Sequence, residues 1–245
     1  MNDEQLERYS KQIMLPQVDI KGQEKLLNST VLIVGLGGLG SPTALYLASA
    51  GVGKLILADF DTVDLSNLQR QIIHSQNDIG DLKVNSALKK IKNINNDIKI
   101  ETLVDINEKT LQQAINMSDI VLDGTDNFKS RFMINKYCFF AKTPLVSASV
   151  IRFEGQLSVY KPWLKDQPCY QCLYSPNESE DKNCVTNGII APMAGVLGSF
   201  QALEAIKVLL DLEHLLGKLL LIDGLQTNFR IVNVKKDSNC NICNK

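Results

Sequence analysis

The segment Val31-Leu32-Ile33-Val34-Gly35-Leu36-Gly37-Gly38-Leu39-Gly40 constrains the fold of this chain more than any other. Consecutive apolar, mostly β-branched residues suit a strand buried on both faces of a parallel sheet. The glycines after it permit a tight turn into a helix whose first backbone N–H groups face an anion, with no side chains to hold a phosphate away. An alternation follows, with helix over 39–50, strand over 55–58, helix over 83–94, strand over 98–103, helix over 108–117 and strand over 120–122. That order predicts an α/β class: a Rossmann-like, doubly wound, mostly parallel sheet.

The second half reads differently. A strand over 145–147 is followed by an alternating, antiparallel-type strand over 155–160, and further strands fall near 219–222 and 229–234. Residues 188–212 are apolar and rich in small side chains, which predicts a buried helix or helix pair. Helical patterns over 4–14 and 22–27 precede the first strand, and the polar stretch 174–187 predicts a long loop. The expected organisation is one domain over 1–245. It comprises an N-terminal helical segment at 1–28, a nucleotide-binding Rossmann-like half at 29–148, and an antiparallel C-terminal extension at 149–245.

With 26 Lys and Arg against 27 Asp and Glu, no strong field draws the chain to nucleic acid or an anionic membrane. No apolar run reaches the roughly 20 residues of a membrane span, and Met1-Asn2-Asp3-Glu4 lacks the pattern of a secretory signal. The expected location is cytoplasmic, where thiols stay reduced, so the 6 cysteines read as ligands or reactive groups rather than a disulfide framework.

The glycines Gly35, Gly37, Gly38 and Gly40 form a phosphate cradle that fits both a dinucleotide and ATP. Asp59, about twenty residues further on at the end of the second strand, stands where a carboxylate meets ribose hydroxyls. Asp61, Ser66, Asn67, Arg70 and Gln71, followed by Lys83, form a polar cluster that a dinucleotide does not need. A triphosphate does need it, because charge grows on the phosphate oxygens during attack at phosphorus. The same residues also suit a solvated loop that caps helices. Leu122-Asp123-Gly124-Thr125-Asp126-Asn127 ends the fourth strand at the sheet edge where open α/β folds bind ligands. Asp126 there suits either a Mg²⁺ ligand or the N-cap of the helix from Phe128.

Cys169-Tyr170-Gln171-Cys172 and Cys240-Asn241-Ile242-Cys243 are two Cys-x-x-Cys knuckles, the donor set of a closed structural Zn²⁺ site that would staple the chain end to the middle of the domain. Two redox pairs or free thiols are the alternative. Cys138 reads as a small buried hydrophobe. Cys184, in the polar loop before an expected helix start, reads either as a nucleophile or as an ordinary thiol. His74 and His214 show no partner spacing.

Taken together, the glycine run, Asp59, the stretch Ser66-Asn67-Leu68-Gln69-Arg70-Gln71, Lys83, Thr125-Asp126-Asn127 and the paired cysteine knuckles resemble the ThiF/MoeB/HesA adenylyltransferases, relatives of ubiquitin-activating E1 enzymes. The match runs from about Arg8 to Cys243. The resemblance implies a homodimer that uses ATP and Mg²⁺ to adenylylate the C-terminal glycine carboxylate of a ubiquitin-like sulfur carrier such as ThiS or MoaD, a carrier ending in Gly-Gly, with release of pyrophosphate. By position it gives Asp59 to the ribose, Asn67, Arg70 and Lys83 to the phosphates, and Asp126 to the metal. It also places Cys184 where thiamine-branch members carry a carrier-linking cysteine, and implies a cysteine desulfurase or rhodanese as sulfur donor. Lys11 stands where the family carries an arginine that reaches across the dimer; lysine keeps the charge and loses the two-pronged donor. The tract at 183–188 is closer to ThiF, whereas 60–74 and 151–156 are closer to MoeB. A nicotinamide dehydrogenase and a non-catalytic scaffold of the same fold are the rival readings.

Overall fold

The computed structural model describes residues 1–175 and 188–244. Short helices Asp3–Arg8 (α1), Ser10–Ile13 (α2) and Asp19–Leu27 (α3) lead into strand Thr30–Val34 (β1). Then come Gly40–Ser49 (α4), Lys54–Ala58 (β2), Lys83–Ile94 (α5), Lys99–Leu103 (β3), Glu108–Asn116 (α6), Ile120–Asp123 (β4) and Phe128–Ala141 (α7). The second half carries Leu145–Ile151 (β5), Glu154–Tyr160 (β6), Tyr170–Leu173 (α8), Ala191–Leu209 (α9), Lys218–Asp223 (β7) and Asn228–Asn233 (β8).

The eight strands among the described residues join one sheet in the order β3-β2-β1-β4-β5-β6-β7-β8. The pairs among β3, β2, β1, β4 and β5 are parallel, and those among β5, β6, β7 and β8 antiparallel. The mostly parallel sheet expected from the alternation of helix and strand is therefore present, with the antiparallel extension continuing it.

Strand residues alternate between two packed layers, as a period of two requires. Val31 and Ile33 join Leu55, Leu57, Ile120 and Leu122 under α4, α5 and α9. Leu32 and Val34 join Ile56, Ala58 and Val121 under α6 and α7. Burial on both faces explains why these strands are continuously apolar in sequence.

One pair of alternatives is decided and two details differ from expectation. Of the helix or helix pair expected within 188–212, the structure has one long helix, Ala191–Leu209, in which Pro192 falls in the first turn, where a missing N–H breaks no bond. The stripe expected over 4–14 is interrupted at Tyr9, which is buried while Leu6 and Met14 are exposed; its hydroxyl accepts from Asn95 at 2.8 Å. Tyr174, placed in the expected loop, packs against Tyr170 with ring centroids 4.6 Å apart. The rest of that loop, 176–187 with Cys184, lies outside the described residues. Among the described residues no helix is long and apolar enough to cross a membrane.

Candidate functional site

Strand order reverses between β1 and β4: the chain winds outward from β1 through β2 to β3, then crosses back to β4 on the other side. The loops beyond β1 and β4 consequently diverge and leave a crevice at the carboxyl ends of the strands. Its volume is about 970 Å³, and it runs from the glycine loop across the antiparallel strands to Arg230.

The glycine loop has steric reasons for its composition. Gly35 has φ +89°, and a Cβ on Gly40 would lie 1.9 Å from the Gly35 carbonyl oxygen, so the turn into α4 closes only without side chains. Gly35, Gly37 and Gly38 line the crevice, and Arg70 lies across Gly38. Gln71 is buried and lines the same wall, and its Oε1 has no hydrogen-bond partner among the described residues. A buried polar atom left unpaired beside an open glycine loop fits a polar ligand in that space.

Asp59 follows β2 and clamps the loop from below. Its Oδ2 accepts the Leu36 N–H at 2.7 Å and its Oδ1 the Asp61 N–H at 2.8 Å. Burial pushes its carboxyl upward from the ordinary value; those two N–H groups and Lys83 oppose the shift. Lys83, buried at the start of α5, donates to Asp61 at 2.9 Å, and both line the crevice. His74 bridges the wall behind them: Nε2 lies 3.1 Å from the Leu36 carbonyl, which can only accept, so Nδ1 accepts from Ser86 at 2.8 Å. Burial lowers its pKa.

The β4 side is built with similar economy. Asp123 is fully buried and accepts from the Thr125 N–H and hydroxyl at 3.0 and 2.7 Å and from Ser147 at 2.9 Å. Gln201 of α9 donates to the Asp123 and Val146 carbonyls, locking β4 to β5. Asp126 is exposed and lines the crevice. The helix cap that was its alternative role belongs to Asn127, whose side chain accepts from the Ser130 N–H at 2.9 Å. Asn127 also borders the crevice.

The crevice therefore gathers Gly35, Gly37, Gly38, Asp59, Asp61, Arg70, Gln71, Lys83, Asp126 and Asn127. It does not gather Gly40, Ser66, Asn67 or Lys11. Ser66 and Asn67 sit in a short turn over Leu65–Asn67 capped by Asp64, and Lys11 is an exposed residue of α2. Sequence reasoning missed Asp123, Arg131, Glu154, Asp223 and Arg230; the last four line the crevice.

The two cysteine knuckles meet. The Sγ atoms of Cys169, Cys172, Cys240 and Cys243 all lie within 4.8 Å of one another, with 3.6 Å between Cys169 and Cys240 and 3.4 Å between Cys172 and Cys243. Bonds of about 2.3 Å from a tetrahedral zinc would set sulfurs about 3.8 Å apart, so the cluster fits such an ion. The close contact between the Cys172 and Cys169 sulfurs holds the Cys172 thiol down, to about 5, and pushes the Cys169 thiol up; sulfurs this close cannot all ionise without a cation among them. Cys138 is buried in the α7 layer, as expected.

A profile described as the ThiF family matches residues 9–242. The chain is 46% identical over 245 residues to the sulfur carrier protein ThiS adenylyltransferase of Escherichia coli, covering 99% of this chain and 97% of that protein. It is 44% identical over 245 residues to the molybdopterin-synthase adenylyltransferase of the same organism, covering 99% and 98%. Its fold superposes on a crystal structure of E. coli MccB with ATP at a TM-score of 0.83, 24% identical, covering 100% of this chain and 75% of that one.

Proposed function

Since the chain belongs to the ThiF family, we propose that its crevice binds ATP and adenylylates the C-terminal glycine carboxylate of a ubiquitin-like sulfur carrier, in thiamine thiazole or molybdopterin biosynthesis. One observation carries this reading. The glycine loop with Arg70 and Lys83 stands on one side of a single crevice, Asp126 on the other, and the space continues along β5 to β8.

A carboxylate oxygen of the carrier attacks the α-phosphorus, the bond from that phosphorus to the bridging oxygen breaks, and pyrophosphate leaves as the acyl-adenylate forms. The nucleophile is already ionised near neutral pH, so no protein base is needed. What remains for the protein is positioning and charge. Asp59 faces the ribose, while Arg70 and Lys83 meet the phosphate oxygens. Lys83 exchanges its contact with Asp61 for one with phosphate. Asp126 offers the carboxylate oxygen that a hard cation prefers; bound Mg²⁺ would supply further charge neutralisation there. The antiparallel half receives the carrier's tail, with Gln156, Leu221 and Arg230 along its path.

The four cysteines hold a structural zinc ion in this reading. The protein works in the cytoplasm as a homodimer, in which Lys11 reaches the second protomer's nucleotide, and a cysteine desulfurase or rhodanese provides sulfur downstream. Cys184 is the candidate thiol for a bond to the carrier. The test is carrier-dependent exchange of labelled pyrophosphate into ATP, with mass spectrometry of ThiS-like and MoaD-like carriers for a gain of AMP. Asp126→Ala and Arg70→Ala should abolish exchange in a folded protein. Near wild-type exchange in both would overturn the reading.

A further inference from the structure

The turn that presents Asp126 is held at three points on Thr125. Its N–H and its hydroxyl donate to Asp123, and its carbonyl accepts two bonds from Arg131, from Nε at 3.1 Å and from Nη2 at 2.6 Å. Arg131 lies one turn into α7, and helical side chains lean toward the helix start, so its guanidinium returns to the turn from which the helix grew. It also lines the crevice. The buried Asp123 carboxylate is its near counter-charge, and Tyr170, within the first cysteine knuckle, also lies close enough to interact with it.

We propose that Arg131 is a positioning residue: by gripping the Thr125 carbonyl through two N–H groups it fixes the Thr125-Asp126 turn and holds the Asp126 carboxylate at the crevice. Asp126 itself is exposed, and Asn127, its near neighbour, only approaches it, at 3.5 Å. The orientation of Asp126 therefore depends on the backbone beneath it. Nothing in this role requires Arg131 to touch substrate. The inference rests on the reading of Asp126 as the Mg²⁺ ligand.

The two claims separate experimentally. The full chain with its carrier is assayed for pyrophosphate exchange across a Mg²⁺ titration, with thermal unfolding recorded for each variant. Asp126→Ala tests the underlying reading: retained exchange there refutes the metal assignment and with it the premise. Given loss in Asp126→Ala, Arg131→Gln should raise the Mg²⁺ concentration for half-maximal exchange by about tenfold, the scale of a lost hydrogen bond to a charged group. Arg131→Lys keeps the charge but not the paired donors, and should fall between, with a shift of about threefold. A residue that merely stabilised the fold would lower the melting temperature and leave the Mg²⁺ requirement unmoved. Should Arg131→Gln fail to fold, Arg131→Lys decides. A wild-type Mg²⁺ dependence in Arg131→Lys overturns the proposal.

Discussion

Lys83 and Asp61 form a lopsided ion pair across 2.9 Å: the lysine side chain is 6% exposed and the aspartate 52%. A buried ammonium whose partner faces solvent is ready to change partners, because Asp61 can return to water when an anion arrives. Lys83→Ala should lower carrier-dependent pyrophosphate exchange by about 100-fold or more, the scale of removing one preorganised charge from a phosphoryl-transfer site. Asp61→Asn should reduce exchange by less than about tenfold, and it should change stability by no more than about 1 kcal/mol because half of the pair is already solvated. Exchange kinetics and denaturant unfolding on the two variants check this.

His74 carries a pH dependence. Burial lowers its folded pKa below the ordinary 6.5, so the unfolded chain binds the proton more readily. Its contribution to stability is intact above 6.5 and lost as pH falls through 6.5 toward the lower, folded value. Unfolding free energy should therefore decline between pH 7.5 and 5.5. Protonating Nδ1 would also remove the acceptor for Ser86. In His74→Gln that decline should be smaller; an unchanged slope would assign it elsewhere.

Period and punctuation made the parallel half legible. Val31 to Val34 read as a strand because both its faces are covered, and Lys83 to Ile94 read as a helix because its apolar positions recur on one face. The crevice was legible in outline, since glycines after β1 and acids after β4 fall at strand ends, where topology brings them together. What local sequence could not decide was whether Asp126 or Asn127 caps α7. Both are good caps, and only the path of the turn chooses between them. Arg131 was invisible for a related reason: its partner is a backbone carbonyl, and no side-chain pattern announces a carbonyl. Ser66 and Asn67 show the converse, polar residues near the site in sequence that the Leu65–Asn67 turn keeps off the crevice wall.

Removing metal should loosen the end of the chain. Cys240 and Cys243 hold the C-terminal segment to Cys169 and Cys172, and no other buried cluster includes that segment among the described residues. Elemental analysis should find one zinc per chain. Cys240→Ser should abolish it and lower the melting temperature by roughly 10 °C, as expected for a loss of about 3 kcal/mol in a domain of this size. Unchanged zinc content in Cys240→Ser would rule out the tetrathiolate site.

Two glycines of the same loop should fail in different ways. A Cβ at Gly40 would sit 1.9 Å from the Gly35 carbonyl oxygen, and Gly35 has little room to move because it directly follows β1 and its N–H donates to the Ala58 carbonyl at 2.8 Å. Gly40→Ala must then push the turn apart, with a loss of about 3 kcal/mol or more through backbone strain and displaced packing. At Gly37 the nearest atom is Gln71 Nε2, at 3.7 Å, an ordinary contact. Gly37→Ala should therefore fold with stability within about 1 kcal/mol of the wild type. Its methyl group, however, would add bulk at the crevice wall where phosphate is to approach, so the KM for ATP should rise by about tenfold or more. Unfolding curves and exchange kinetics on the pair separate the two roles: a fold requirement at Gly40, and an access requirement at Gly37. If Gly37→Ala bound ATP as the wild type does, the phosphates would have to lie elsewhere along the loop.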